Sequence, residues 1–332
     1  MLKEIQNPNI YHGTTKTNNY FEGWYFKLVH PSKNLVYTFI PGISMFSNPH
    51  CFIQVLEGHS SSFEYIRYDA QDFTSSKYVF EVCISNNLFS LNKIVLNLTT
   101  TNSHIEGSLT LVNHIKWPDS ILNPGSMGFY NYLTFMQCFS QVCSMDSNII
   151  GSLIINGETI DFTGGKAYIE KNWGKAFPSS YIWAQCNTFL HKDLSLTCSI
   201  GHIPMPIGSF TGFLIGLYTG EKFYKFTTIK RSKIRINTGD TSINIEALNK
   251  RYKLNFYLSA PIETFMKLYA PIDSRMQPLV RESLLANVTL QLIDLVDLNE
   301  NRIILESTGQ LGGLEFGGAY ELLCTNTNLM VF

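Results

Sequence analysis

The chain is 332 residues long, 45% hydrophobic and 13% aromatic, with 25 basic against 26 acidic residues and a formal net charge of -1. That balance excludes a nucleic-acid partner held by bulk electrostatics, and the apolar content excludes a disordered chain and suffices for one or two sizeable cores. Seven cysteines without CxxC spacing and eight histidines without an HExxH or HxH pattern point to buried reduced thiols, to no metal and to no cofactor.

The opening segment, MLKEIQNPNIYHG, lacks the apolar core of a signal peptide, and no apolar run approaches the ~20 residues of a membrane span, so the expectation is a cytoplasmic protein. From Tyr20 onward, short alternating runs are punctuated by Gly, Pro, Asn, Asp or Ser. They cover Tyr20–His30, Leu35–Ile43, Phe52–Glu57, Phe63–Tyr68, Tyr78–Ile84, Ile94–Thr100 and Ile105–Val112. Such spacing predicts antiparallel strands. A Pro/Gly-rich connection over Trp117–Gly125 follows, and the same texture returns from Ser152 to the C-terminus. Asn131–Met145 fits a helical stripe of Tyr132, Phe135 and Phe139 about as well as a strand, and its scarcity of Ala, Glu and Lys favours the strand. The basic run Lys230–Arg235 alternates with Ile234 and Ile236 as the outer face of a strand would. Pro261–Pro278 reads as a connection carrying a short helix over Glu263–Leu268. Roughly eighteen runs fill two small antiparallel barrels or sandwiches with few helices. The expected fold is therefore all-β, with one domain over residues 1–150 and a second over 151–332.

Three stretches carry candidate chemistry. In Tyr20–Leu28, Glu22 is the only carboxyl on a face shared with Tyr20, Trp24, Phe26 and Leu28. Burial there is expected to raise its pKa and make it a general acid. The competing reading has it paired with an Arg or capping backbone groups at a barrel mouth. In Lys166–Trp173, Tyr168 and Glu170 share one face while Ile169, Lys171 and Trp173 share the other, so Glu170 is a second candidate acid, or a structural group paired with Lys171 or an Arg, and Trp173 an aromatic wall or core plug. In the third stretch, Tyr181, Trp183, Gln185, Asn187 and Phe189 fall on one face and Ile182, Ala184, Cys186 and Thr188 on the other. Amides set into an aromatic wall need partners when buried and suit a ligand with an apolar body and a polar head. Glu315, in Gly312–Gly318, has a structural role in closing a barrel that the glycines bend. Neither a GxSxG nor a GK[ST] signature is present.

Tyr168-Ile-Glu-Lys-Asn-Trp-Gly174, Phe177-Pro178 and Trp183-x-Gln185-x-Asn187-x-Phe189 resemble the motifs of the tocopherol cyclase family. Tyr20-Phe-Glu-Gly-Trp-Tyr-Phe-Lys27, Arg281-Glu-Ser283 and Gly312-Gly-Leu-Glu-Phe316 extend the resemblance over residues 20–322. It implies a tandem lipocalin-like arrangement and an isomerase that protonates the trisubstituted alkene of a prenylated hydroquinone, or a related terpenoid, so that the phenol oxygen captures the tertiary cation. That chemistry needs a desolvated acid and aromatic faces, each contributing about 0.5–2 kcal/mol by cation–π attraction. It casts Glu22 or Glu170 as catalytic acid and Trp24, Trp173 and Trp183 beside the cation, with Gln185 and Asn187 orienting the phenol and Tyr168 and Tyr181 lining the site. The chain departs from the family pattern at Gln137 and near Ser140, where relatives often carry an acidic residue and a His. The alternatives are a non-enzymatic carrier of a hydrophobic ligand, and a hydratase or pericyclic catalyst on the same scaffold. The expected partner is a hydrophobic prenyl or lipid-like small molecule, with peripheral contact to a membrane left open.

Overall fold

A computed structural model describes residues 2–191, 193–297 and 300–324. Strands dominate it; among the described residues the only α-helix is the short α1 (Leu2–Gln6). The first sheet starts with the meander β1 (Tyr20–His30), β2 (Leu35–Met45), β3 (His50–Glu57) and β4 (Ser62–Asp69). The shorter β5 (Phe73–Ser75), β6 (Glu81–Ile84) and β7 (Asn87–Ser90) lead into β8 (Lys93–Thr99) and β9 (His104–Ile115). After a long loop come β10 (Cys138–Ser144), β11 (Asp146–Ile155), β12 (Glu158–Asp161) and β13 (Lys166–Gly174). The order is β4-β3-β2-β1-β13-β11-β9-β8-β7-β6-β5, with β10 beside β13 and β12 beside β11.

The second sheet comprises β14 (Ser180–Cys186), β15 (Leu194–Pro204), β16 (Ser209–Thr219), β17 (Phe223–Thr227) and β18 (Lys233–Thr238). It continues with β19 (Ser242–Leu248), β20 (Tyr252–Ser259), β21 (Met266–Ile272), β22 (Arg275–Asp297) and β23 (Glu300–Gly318). Its order is β17-β16-β15-β14-β23-β22-β20-β19-β18, with β21 beside β22. The fold is all-β, as the alternation predicts, and lipocalin-like, as the family resemblance implies.

Contacts divide the chain into an N-terminal unit (up to residue 57, 62–177 and 268–278) and a C-terminal unit (58–61, 178–267 and from 279 onward). The division falls after Phe177, not at 150/151. The reason is pairing: β13 runs antiparallel to β1 from Phe21↔Gly174 to Val29↔Lys166, and β11 pairs with β9, so both complete the first sheet. The β21–β22 turn joins the N-terminal unit through Gln54, whose amide donates to the Tyr269 carbonyl (3.1 Å) and accepts the Tyr269 N–H (3.0 Å).

Each unit has its own core, in which period-two side chains from facing strands remove apolar area from water. Trp24, Phe26, Leu28, Phe39, Phe89 and Ile169 belong to the first, and Ile182, Ala184, Ile215, Phe256 and Phe316 to the second. One local expectation changes: Glu263–Leu268 is not a helix, because a 3-10 turn at Ile262–Thr264, opened by Pro261, passes directly into β21. In Asn131–Met145 the favoured strand is present as β10, preceded by the end of a 3-10 turn (Gly128–Tyr132).

Candidate functional site

Pairing of β1 with β13 sets Glu22 opposite Trp173 and Trp24 opposite Lys171. On this core-facing side Lys171 Nζ lies 2.6 Å from Glu22 Oε1, and both side chains are fully buried. The ammonium also donates to the carbonyl oxygens of Pro8 (3.0 Å) and Ile10 and to His12 Nδ1 (2.7 Å). Its Nζ stands 4.5 Å from the Trp173 ring centre and 5.4 Å from that of Trp24, within cation–π range. Glu22 in turn accepts the His12 backbone N–H (2.9 Å to Oε2) and the Tyr20 hydroxyl.

The expectation of a raised Glu22 pKa is overturned. Burial does push the carboxyl up, but the Lys171 charge and the His12 hydrogen bond outweigh it and hold Glu22 below its ordinary 4.5. His12 stays neutral, because burial and the Lys171 charge lower its pKa from 6.5. Its Nδ1 accepts from Lys171 while Nε2–H donates to the Glu4 carbonyl (3.1 Å), which fixes the tautomer. An ionised carboxylate saturated with donors cannot hand a proton to an alkene. Glu22 and Lys171 instead fasten the segment Pro8–His12 to the end of the core.

The opposite face of β13 carries a different carboxyl. Glu170 is 3% exposed; Tyr168 OH donates to its Oε2 at 2.5 Å, and Ser140 Oγ and Asn172 Nδ2 donate to Oε1 at 3.1 and 3.3 Å. Ser140 reaches it because β10 pairs with β13 in the register Ser140↔Asn172. The Tyr25 ring meets the Tyr168 ring edge-on at 6.5 Å, and buried Lys27 is the β1 partner of Tyr168. Cys138, nearby, is no nucleophile: burial first and the Glu170 charge second push its thiol up to about 12. Gln137 spends its amide on the Phe177 carbonyl (2.9 Å) as a structural tie.

In the C-terminal unit β14 turns Ile182, Ala184 and Cys186 into the core and Tyr181, Trp183 and Gln185 to the other face, where all three are buried. β23 lies alongside with Tyr181↔Gly317, Trp183↔Glu315 and Gln185↔Gly313. The glycines are seats for rings: a Cβ at Gly313 would stand 2.5 Å from the Trp183 ring, and one at Gly317 would overlap the Tyr181 ring. Tyr181 OH donates to Glu315 Oε1 at 2.5 Å, and buried Glu282 is the next cross-strand neighbour of Glu315. Asn187 is fully buried just beyond the end of β14. Phe189 departs from the expected face. The strand ends at Cys186, the alternation breaks, and Phe189 bridges to Gly309 and packs on the core.

The nine predicted residues thus fall into three clusters: Glu22, Trp24 and Trp173 on the core side of β1 and β13; Tyr168 and Glu170 on the other side; Tyr181, Trp183, Gln185 and Asn187 in the C-terminal unit. A surface groove of about 810 Å³ in the C-terminal unit, lined by His191, Asn255, Tyr257, Gln291 and Glu306 among others, includes none of them. The sequence reading missed His12 as partner of Glu22, Ser140 as a ligand of Glu170, and the Glu282–Glu315 neighbourhood. The last was open to the period-two rule applied to Arg281-Glu-Ser283 and Gly-Leu-Glu-Phe316; the other two depend on long-range pairing.

A family described as tocopherol cyclase-like matches residues 89–318. The chloroplastic tocopherol cyclase of Zea mays is 26% identical over 205 residues, 58% of this chain and 41% of that protein, so the match spans about two fifths of that curated relative. Among solved structures, CghA with Sch210972 superposes with a TM-score of 0.54 at 11% identity, covering 90% of this chain and 88% of that one. Kievitone hydratase from Nectria haematococca gives 0.52 at 12% identity, covering 93% of each chain. At these identities the structural likeness speaks for the fold.

Proposed function

From the premise that the chain belongs to the tocopherol cyclase-like family, we propose that it is an isomerase that closes a ring on a prenylated phenol or related terpenoid, with Tyr168 and Glu170 as the proton-transfer pair. The observation that carries this reading is the 2.5 Å contact between the Tyr168 hydroxyl and the carboxyl of Glu170, both buried on the face of β13 turned away from its core. With Glu170 in its protonated form the pair holds two protons, one on the carboxyl and one on the Tyr168 oxygen, so it can deliver one to an alkene carbon and take one back from the phenol that captures the cation. Ser140 and Asn172 hold the other carboxyl oxygen and so fix the direction of transfer. Positioned acid–base groups of this kind contribute on the order of 10²–10⁴ in rate. Within the C-terminal unit, Trp183 and Tyr181, seated against glycine, are rigid aromatic surfaces with Gln185 and Asn187 on the same segment, an arrangement that by itself suits an apolar ligand with a polar head. Glu22 has no proton-donating part in this scheme.

The test is incubation of the purified chain with a prenylated hydroquinone in deuterated water, followed by mass analysis. The expected product is an isomer carrying one deuterium at the former alkene carbon, formed by wild type and lost in Glu170→Gln. Full turnover by Glu170→Gln overturns the assignment. A product heavier by one water means that solvent captures the cation, the outcome that the likeness to a hydratase fold makes worth scoring. Substrate recovered unchanged from wild type turns the reading towards a carrier.

A further inference from the structure

We propose that the loop between β9 and β10 docks the protein on a lipid surface, with an apolar turn at Ile121 and Leu122 as its inserting tip. Ser120 and Asn123 exchange backbone hydrogen bonds of 3.1 and 2.9 Å, which makes Ile121 and Leu122 the two central residues of a tight turn. Such positions ordinarily hold Asn, Asp or Gly. Here they hold two large aliphatic side chains that are 74% and 78% exposed. The same loop exposes Phe129 at 51% and Phe135 at 48%.

Three further observations favour lipid as the occupant. Across Trp117–Met136 the only charged side chain is Asp119, an exposed residue whose carboxylate accepts the Gly125 N–H at 2.8 Å. The rest of the segment carries no charge, so the exposed Ile121, Leu122, Phe129 and Phe135 stand in a nearly uncharged stretch, the composition of an interfacial anchor. Exposed lysines stand at its two ends, Lys116 before Trp117 and Lys175, whose N–H donates to the Gln137 carbonyl, and these suit anionic headgroups. Lastly, the loop is held in place. Tyr132 OH donates to the Ile121 carbonyl (2.5 Å), Asn131 Nδ2 to the Pro124 carbonyl (2.7 Å), and the Ser126 N–H to Gln141 Oε1 (2.9 Å). Apolar groups already ordered in water lose little entropy on insertion. No helix among the described residues is long and apolar enough to cross a membrane, so docking is a matter of this surface and not of a helical span.

The loop is linked to the proposed proton-transfer pair through Ser140 of β10. Met127 Sδ accepts the Ser140 N–H at 3.0 Å, and the Ser140 hydroxyl reaches Glu170 at 3.1 Å. A surface that meets lipid therefore lies next to the cluster proposed to handle a prenylated substrate; the purpose of docking rests on that reading, its geometry does not.

The test is co-sedimentation of the full chain with vesicles of phosphatidylcholine, alone or mixed with phosphatidylglycerol. Wild type is expected to partition onto both, more strongly with the anionic lipid, and the added strength is expected to fall with salt. Ile121→Ser with Leu122→Ser is expected to bind at least about tenfold more weakly, since it removes two groups that insert. Both side chains are exposed, so an unchanged thermal transition confirms that this variant still folds. As a second readout, Leu122→Trp is expected to shift its emission to the blue on vesicles. Wild type left in the supernatant, or equal binding by the double variant, overturns the proposal. So does a concentration-dependent dimer abolished by the double variant, which would make a second copy the occupant. No arm reads turnover, so failure of docking and failure of the Glu170 assignment are separate results.

Discussion

Lys171 and Glu22 form an ion pair 2.6 Å long with neither side chain exposed to solvent, the ammonium within cation–π range of the Trp173 and Trp24 rings. A pair so far from water stands only because every other polar contact is also made: the Lys171 ammonium reaches the Pro8 and Ile10 carbonyls, and Glu22 receives the His12 N–H. The pair is a fastening for the N-terminal segment, and its removal is felt as stability.

Glu22→Gln leaves the Lys171 ammonium buried without its counter-charge, and Lys171→Met leaves the carboxylate in the same position. Each is expected to lower unfolding free energy by about 3–5 kcal/mol. Urea denaturation of both single variants and of the double variant checks this. The double variant is expected to lose much less than the sum, because removing both charges leaves nothing uncompensated. Additive losses would contradict the pairing.

Acid is expected to loosen the same fastening in two stages. Burial and Lys171 hold the His12 pKa below 6.5, so between 6.5 and that lower value the unfolded chain binds the extra proton and stability falls as pH falls. Glu22 is held below 4.5, chiefly by Lys171 against the opposing effect of burial, so its contribution is whole above 4.5 and is lost as pH drops through the lower folded value. Lys171 is lowered from 10.5 by burial, against the opposing charge of Glu22. Urea midpoints measured from about pH 7 down to about pH 4 should therefore decline steadily. His12→Asn should remove the upper stage only; a wild-type midpoint flat across the range would be incompatible with this arrangement.

Gly313 and Gly317 are predicted to resist even alanine. A Cβ at Gly313 falls 2.5 Å from the Trp183 ring, and one at Gly317 meets the Tyr181 ring, while the backbone β23 shares with β14 leaves the rings little room. Overpacking of this kind costs about 1–3 kcal/mol. Gly317→Ala should lower the thermal transition, and combining it with Tyr181→Ala should recover part of the loss. If Tyr181→Ala brings no recovery, the ring is not what the glycine accommodates.

Particular residues show how far the sequence could be read. The face-sharing in β1 and β13 was legible, because period two alone separates Glu22 and Trp24 from Tyr25, and Glu170 from Lys171. The protonation of Glu22 was not, because its partner Lys171 lies on a strand distant in sequence and His12 on a segment without periodicity. The glycines around Glu315 were legible as places where backbone must come close or bend. What comes close are rings of β14, and that depends on the β14–β23 register. The division between units escaped for the same reason: nothing local in Asp146–Gly174 says that β11 and β13 pair with β9 and β1.

Tyr168→Phe separates the two jobs of the Tyr168–Glu170 contact. The ring, fully buried, keeps its packing, but the hydroxyl that meets Glu170 Oε2 at 2.5 Å is gone. Stability should fall by about 1–3 kcal/mol, the range for removing one partner of a buried hydrogen bond. Turnover of a prenylated hydroquinone should fall by about 10²-fold or more if the phenol shares the transferred proton, with little change in KM. Ser140→Ala removes the 3.1 Å donor to the other oxygen, which orients the carboxyl and carries no proton in the scheme. Its expected loss is smaller, about tenfold, because the Tyr168–Glu170 contact stays in place. Equal effects from the two substitutions would reduce Tyr168 to a positioning residue and leave Glu170 to act alone.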